Sequence, residues 1–167
     1  MIIRTCLKDD VSSLSPLLEA LWKTETWRNF NVMQKSYKLS YKRSIEKDPE
    51  SCFVALIEDK IVGTARASVI NEKVGAILNI MVLSDYRLKG IGSTLMKRCF
   101  SYLKAKGCKY ATVEVYLNNT SAMKFYKRQG FKVPPFAFLL EIWSRFFNSK
   151  PTRAQKLSFR LSRPLET

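Results

Sequence analysis

Apolar positions along this chain follow two spacings, and the switches between them set the element order. Met1 to Cys6 opens as a short apolar strand, broken by Lys8, Asp9 and Asp10. Val11, Leu14, Leu17, Leu18, Leu21 and Trp22 then recur three and four apart, as one face of a helix does. Pro16 fits the first turn of that helix, where its missing N–H removes no bond. Tyr37, Tyr41 and Ile45, four apart within the polar, basic and aromatic stretch 24–47, predict a second helix. Cys52 to Ile57 and Ile61 to Ile70 are apolar runs around Glu58-Asp59-Lys60, the pattern of a β-hairpin. Val74 to Leu83 shows no alternation, as expected of a strand covered on both faces.

Ile91, Leu95, Cys99 and Leu103 line one helix face, and Lys104, Lys106 and Gly107 supply the chemistry that favours its C-terminal end. Tyr110 to Leu117 reads as a strand. Asn118-Asn119-Thr120 caps a short helix from Ser121 to Gln129, stopped by Gly130. Leu157, Phe159 and Leu161 alternate with Ser158, Arg160 and Ser162 as a last half-buried strand. The apolar stretch 136–147 reads as a strand, a helix or an association surface, and core or homodimer packing is expected of it before a substrate or membrane surface. A hairpin together with crossover helices predicts a mixed α/β sheet in a single domain over 1–167.

Charge and composition narrow the function. The 167 residues hold 29 Lys and Arg against 14 Asp and Glu, a net charge of +15 that attracts an anionic partner such as nucleic acid, an anionic surface or a phosphorylated cofactor. There is no histidine, which excludes Ser-His-Asp and Cys-His nucleophilic sites and His-ligated zinc, and no metal is expected. Cys6, Cys52, Cys99 and Cys108 are scattered and form no CxxC pair, so reduced core residues of a cytoplasmic protein are expected. Neither a signal peptide nor a membrane-spanning run is visible, so no membrane partner is expected.

The informative segment lies between Leu78 and Phe131. An apolar strand enters Ser84-Asp85-Tyr86-Arg87-Leu88-Lys89-Gly90-Ile91-Gly92, and a helix begins at once. Glycines permit a tight turn with N–H groups directed into one concavity, and the helix N-terminus adds its positive dipole end. That combination suits a pyrophosphate, although Arg-x-x-Gly-x-Gly alone is also an ordinary strand-to-helix turn. It is not a Walker loop, and it lacks the third glycine of the dinucleotide fingerprint. Downstream stands a second pattern, with Asn119, Ala122, Phe125-Tyr126 and Gly130-Phe131 at fixed intervals.

The two segments in register resemble the signature of the GNAT acetyltransferases, and the order of the earlier elements resembles the same family over roughly residues 1–131. The resemblance implies a mostly antiparallel sheet with a central V-shaped splay, flanked by helices. The CoA-binding core would span about 74–131, and 132–167 would be atypical. It implies acetyl-CoA as co-substrate, with the amides of Arg87, Leu88, Lys89, Gly90, Ile91, Gly92 and Ser93 around its pyrophosphate. Ile80, Met81 and Val82 would pair with the pantetheine arm, and Asn119 would hold that arm or the loop. Tyr126 would protonate the departing thiolate. Many family members carry a glutamate base just before the position of Asn79, but here that residue is Leu78. Members acting on ribosomal-protein N-termini instead place a glutamate twelve residues before the tyrosine; Glu114 and Tyr126 stand twelve apart. Glu114 is therefore the expected base and Tyr126 the expected acid in transfer to a primary amine, on a small molecule or on a protein or peptide. A non-catalytic acyl-CoA-binding module and a basic nucleic-acid- or ribosome-associated protein stay open. Acceptor choice is expected from residues 11–47 and 132–156, whose basic character argues against polycationic acceptors.

Overall fold

A computed structural model describes residues 1–22, 30–116, 119–132 and 158–165. The stretch 136–147, expected to be core or dimer packing, lies outside the described residues. One six-stranded sheet runs in the order β1 (Ile2–Thr5), β2 (Cys52–Ile57), β3 (Lys60–Val69), β4 (Val74–Val82), β5 (Tyr110–Tyr116) and β6 (Ser158–Pro164). Every neighbouring pair is antiparallel except β4 and β5, which are parallel. The expected hairpin is β2–β3. Ile57 pairs with Lys60, leaving Glu58 and Asp59 as a two-residue turn with both φ angles positive, 48° and 61°. Turns of that hand match the strand twist.

Helices cover both faces. On one side lie α1 (Asp10–Ser13), α2 (Ser15–Trp22) and α3 (Phe30–Lys47); on the other lie α4 (Ile91–Ala105) and α5 (Thr120–Arg128). The single first helix expected from the apolar spacing is thus two short ones. Pro16 has no N–H to offer the Ser12 carbonyl, and the Ser15 hydroxyl takes that acceptor instead at 2.9 Å. The expected helix face on α4 is buried at Ile91, Leu95, Cys99 and Leu103, with Met96 beside them. Gly75 is pressed so close to this helix that a Cβ would meet Leu103 Cδ2 at 2.3 Å.

Two features of β4 shape the space beside it. The strand pairs with β5 only over Val74–Tyr110, Gly75–Ala111 and Ala76–Thr112, and past that point the two part. It also carries a bulge. Thr64 pairs with Met81 and Arg66 with Leu78, so Asn79 and Ile80 stand opposite the single residue Ala65. A one-residue bulge reverses which face each later side chain meets. Ile77 accordingly belongs to the α4-side core, and Met81 to the α1–α3 core. The four cysteines are buried and unpaired, and among the described residues no helix is long and apolar enough to cross a membrane.

Candidate active site

The bulge is held from three sides. Asn79 takes a left-handed backbone, φ 52°, which Asn tolerates better than most residues. Its side-chain oxygen accepts from Arg66 Nη2 at 3.0 Å. Its carbonyl accepts from the Tyr41 hydroxyl at 3.4 Å, and that hydroxyl lies 3.3 Å from Thr64 Oγ1. Arg66 Nη1 reaches across to α3, donating to Ser44 at 3.1 Å and to Ser40. The guanidinium stacks 5.2 Å from the centre of the Tyr41 ring. Helix α3 and the opened strand are therefore one hydrogen-bonded unit.

Beyond β4 the chain makes a short 3-10 turn at Ser84–Tyr86 and enters α4 through Leu88 and Gly90, both left-handed at φ 61° and 81°. Gly90 is the N-cap of α4, and nothing crowds its Cβ position; the glycine answers to its backbone angle alone. The amides of Ile91, Gly92 and Ser93 precede the first helical bond, from Thr94 N–H to the Gly90 carbonyl at 3.0 Å. Without a backbone acceptor among the described residues, they form the open start of a fifteen-residue helix. Arg87 Nε donates to the Val82 carbonyl at 3.0 Å, pinning the loop to the strand end.

Helix α5 forms the opposite wall. Asn119 caps it by accepting from Ala122 N–H at 3.1 Å, and it also accepts from the Ser121 hydroxyl. Gln129 Nε2 donates to Ser93 at 3.1 Å, and Arg163 on β6 donates to the Gln129 carbonyl at 2.6 Å, joining α5 to α4 and to the last strand. Tyr126 is buried against Phe125 and Phe131 at ring distances of 5.4 and 5.8 Å. That burial pushes its hydroxyl well above the ordinary tyrosine range.

Two cavities that share one wall open beside the end of β4. The loop cavity, about 330 Å³, is bordered by Ile80, Met81, Val82, Arg87, Leu88 and Gly92. Its charged lining is Arg87, Lys124 and Arg128, with no carboxylate among the described residues. The α3 cavity, about 480 Å³, is lined by Ser36, Tyr37 and Ser40 of α3 with Arg66, Asn79 and Glu114. Ile80, Asn119, Ala122 and Tyr126 border both. Glu114 projects from β5 just past the last residue paired with β4.

Of the residues singled out in the sequence, Ile80, Met81, Val82, Arg87, Leu88, Gly92, Asn119 and Tyr126 thus line the loop cavity, and Glu114 and Tyr126 meet at the other. Lys89, Gly90, Ile91 and Ser93 stand back from both linings. Lys89 lies 5.5 Å from the Tyr86 ring centre, Ile91 is in the core, and Ser93 is engaged by Gln129. Arg66, Ser36 and Ser40 join the site without any motif that announces them. Their only trace in the sequence is Ser36, Ser40 and Ser44, spaced four apart on one face of α3.

Comparison with known proteins supplies the class that this fold and this pair of cavities belong to. Residues 14–131 match the acetyltransferase (GNAT) family, and the chain belongs to it. It is 29% identical over 140 residues to an uncharacterized N-acetyltransferase of Methanocaldococcus jannaschii, covering 78% of this chain and 60% of that protein. It is 30% identical over 119 residues to the N-alpha-acetyltransferase MAK3 of Arabidopsis thaliana, covering 70% of this chain and again 60% of the relative. The chain therefore spans about 60% of the length of these two relatives. Among solved structures, the PaiA N-acetyltransferase of Thermoplasma acidophilum, crystallised with coenzyme A, shares the fold at TM-score 0.73 and 18% identity, covering 98% of each chain.

Proposed function

We propose that this protein is an acetyl-CoA-dependent N-acetyltransferase, acting as a single domain on a primary amine by direct attack within a ternary complex. The observation that carries the reading is the pair of cavities meeting at Ile80 and Tyr126, with one cavity cationic and the other polar. Three cations, a Gly-bearing loop and the open end of α4 fit a pyrophosphate. Acetyl-CoA supplies the activated acetyl group as a thioester. The opened edge of β4 at Ile80–Val82 holds the pantetheine arm and turns backbone amides toward the thioester oxygen, where negative charge develops.

An ammonium has no lone pair with which to attack, so the acceptor must first lose a proton. Glu114 receives it from the α3 cavity, directly or through water. Tyr126, kept protonated by burial, gives its proton to the departing thiolate from the shared wall. The family likeness to N-alpha-acetyltransferases supports a peptide or protein α-amine as acceptor. Four unpaired buried cysteines support a reducing compartment such as the cytoplasm. The test is calorimetric titration with acetyl-CoA, followed by thiol release in the presence of amine and peptide acceptors. Micromolar binding with acceptor-dependent release is expected; a folded protein that does not bind acetyl-CoA overturns the reading.

A further inference from the structure

Arg66 carries more hydrogen-bonding capacity than its neighbours use. Its guanidinium offers five N–H groups, and its partners are the neutral oxygens of Ser40, Ser44 and Asn79. Nε is buried and has no partner among the described residues. No Asp or Glu forms an ion pair with it among those residues either. A half-buried cation held by neutral oxygens alone bears a desolvation cost that an incoming anion relieves. The group is also rigid, since two α3 serines, the Asn79 side chain and the Tyr41 ring fix its plane. A fixed guanidinium fork is shaped for a carboxylate.

Arg66 lines the α3 cavity, and so does Glu114. Among the described residues its charged lining is Arg66 and Glu114, and a cavity lined by both a guanidinium and a carboxylate suits a molecule that carries a carboxylate beside its amine. We infer that this cavity selects acceptors whose amine is accompanied by a carboxylate a few bonds away, with Arg66 as the carboxylate's partner. The inference rests on the acetyltransferase reading above and deepens it. Two sources share this chemistry: a free amino acid, and a polypeptide whose first residue is Asp or Glu.

The experiment measures acetyl transfer by the wild-type protein to peptides that differ only at the first residue, Asp against Asn and Glu against Gln. Free aspartate and glutamate form a second arm that separates the two sources, and acetyl-CoA binding is measured in parallel. The carboxylate member of a pair is expected to exceed its amide by roughly tenfold or more in kcat/KM, the size of a charge-assisted bond made to a fixed partner. In Arg66→Gln that ratio should collapse toward one, whatever the absolute rate, and Arg66→Lys should keep part of it. Equal rates for acid and amide acceptors in the wild type overturn the inference and leave acetyl transfer standing. So does an unchanged ratio in folded Arg66→Gln. Acetyl-CoA binding without transfer to any carboxylate-bearing acceptor also overturns it, whereas loss of acetyl-CoA binding removes the underlying reading. If Arg66→Gln does not fold, as judged by its melting curve, the wild-type ratios and Arg66→Lys decide the matter.

Discussion

The loop cavity and the α3 cavity share Ile80, Asn119, Ala122 and Tyr126, yet they are built from different materials. The first joins the end of β4 and the turn at Arg87, Leu88 and Gly92 to Leu17 and Ala20 of α2 and to the wall of α5. Its charged groups are Arg87 and, from α5, Lys124 and Arg128, beside a turn set by left-handed backbone at Leu88 and Gly90. The second is made by side chains from α3, β3, β4 and β5, brought together only when the helix docks on the sheet. A backbone socket can serve one invariant ligand in many proteins, because it asks little of the side chains around it. A socket of side chains can be rewritten for each acceptor. The difference teaches where to look for generic chemistry and where to look for specificity.

The sharpest way to break the comparison is to damage one cavity and read both. Gly92→Glu sets a side chain against Phe125, which a bare Cβ would already meet at 3.4 Å, and puts a negative charge where phosphates are expected. Acetyl-CoA affinity should fall by roughly 100-fold or more, measured by titration, while the melting temperature moves little. Retained affinity would deny the loop cavity its assigned ligand.

Tyr126→Phe strikes the shared wall. Loss of the proton donor should lower kcat by roughly 100-fold or more, with acetyl-CoA affinity nearly unchanged. Burial raises the hydroxyl's pKa above its usual value near 10, so the protonated form persists to higher pH than in an exposed tyrosine. Turnover between pH 8 and 10 should therefore show no loss that disappears in the Phe variant. Glu114→Gln touches only the α3 cavity. A fall in kcat/KM on the order of tenfold to 100-fold is expected, again without change in acetyl-CoA binding; an unaltered rate would assign proton removal to water alone.

The smallest effects should come from the scaffold behind the α3 cavity. Tyr41→Phe removes the hydroxyl that contacts the Asn79 carbonyl and Thr64, and should lower stability by about 1 kcal/mol, read by chemical denaturation. Asp10, hydrogen-bonded by Arg4 and by the Leu7 amide, titrates below the ordinary aspartate value. Its contribution is present above the unfolded-state pKa near 3.8 and is lost as pH falls through the lower folded value. Asp10→Asn should therefore reduce stability at neutral pH by about 1 kcal/mol or less and flatten the decline below pH 4.

Local chemistry makes much of this molecule legible from its residues. The strands, the β2–β3 hairpin, the buried face of α4, the Asn119 cap and the closing strand at 158–164 each follow from neighbours a few residues apart. So does the loop through Gly90 and Gly92, because its geometry depends on backbone angles that glycine permits. The break at Leu14 escapes the apolar spacing although its cause is local, since a proline that suits a first turn cannot also continue an earlier one.

What tertiary structure alone decided is the α3 cavity. Arg66 is 26 residues from Ser40 and 13 from Asn79, and no periodicity in the sequence links them. Nor does the apolar run of β4 announce the bulge at Asn79 and Ile80, because a one-residue shift in register is defined only against the facing strand. Sequence by itself determined where the backbone could cradle a phosphate-bearing ligand, through residues whose conformational limits are their own. The packing of α3 on the sheet determined which charges share the adjoining space, because that outcome depends on contacts between groups distant along the chain.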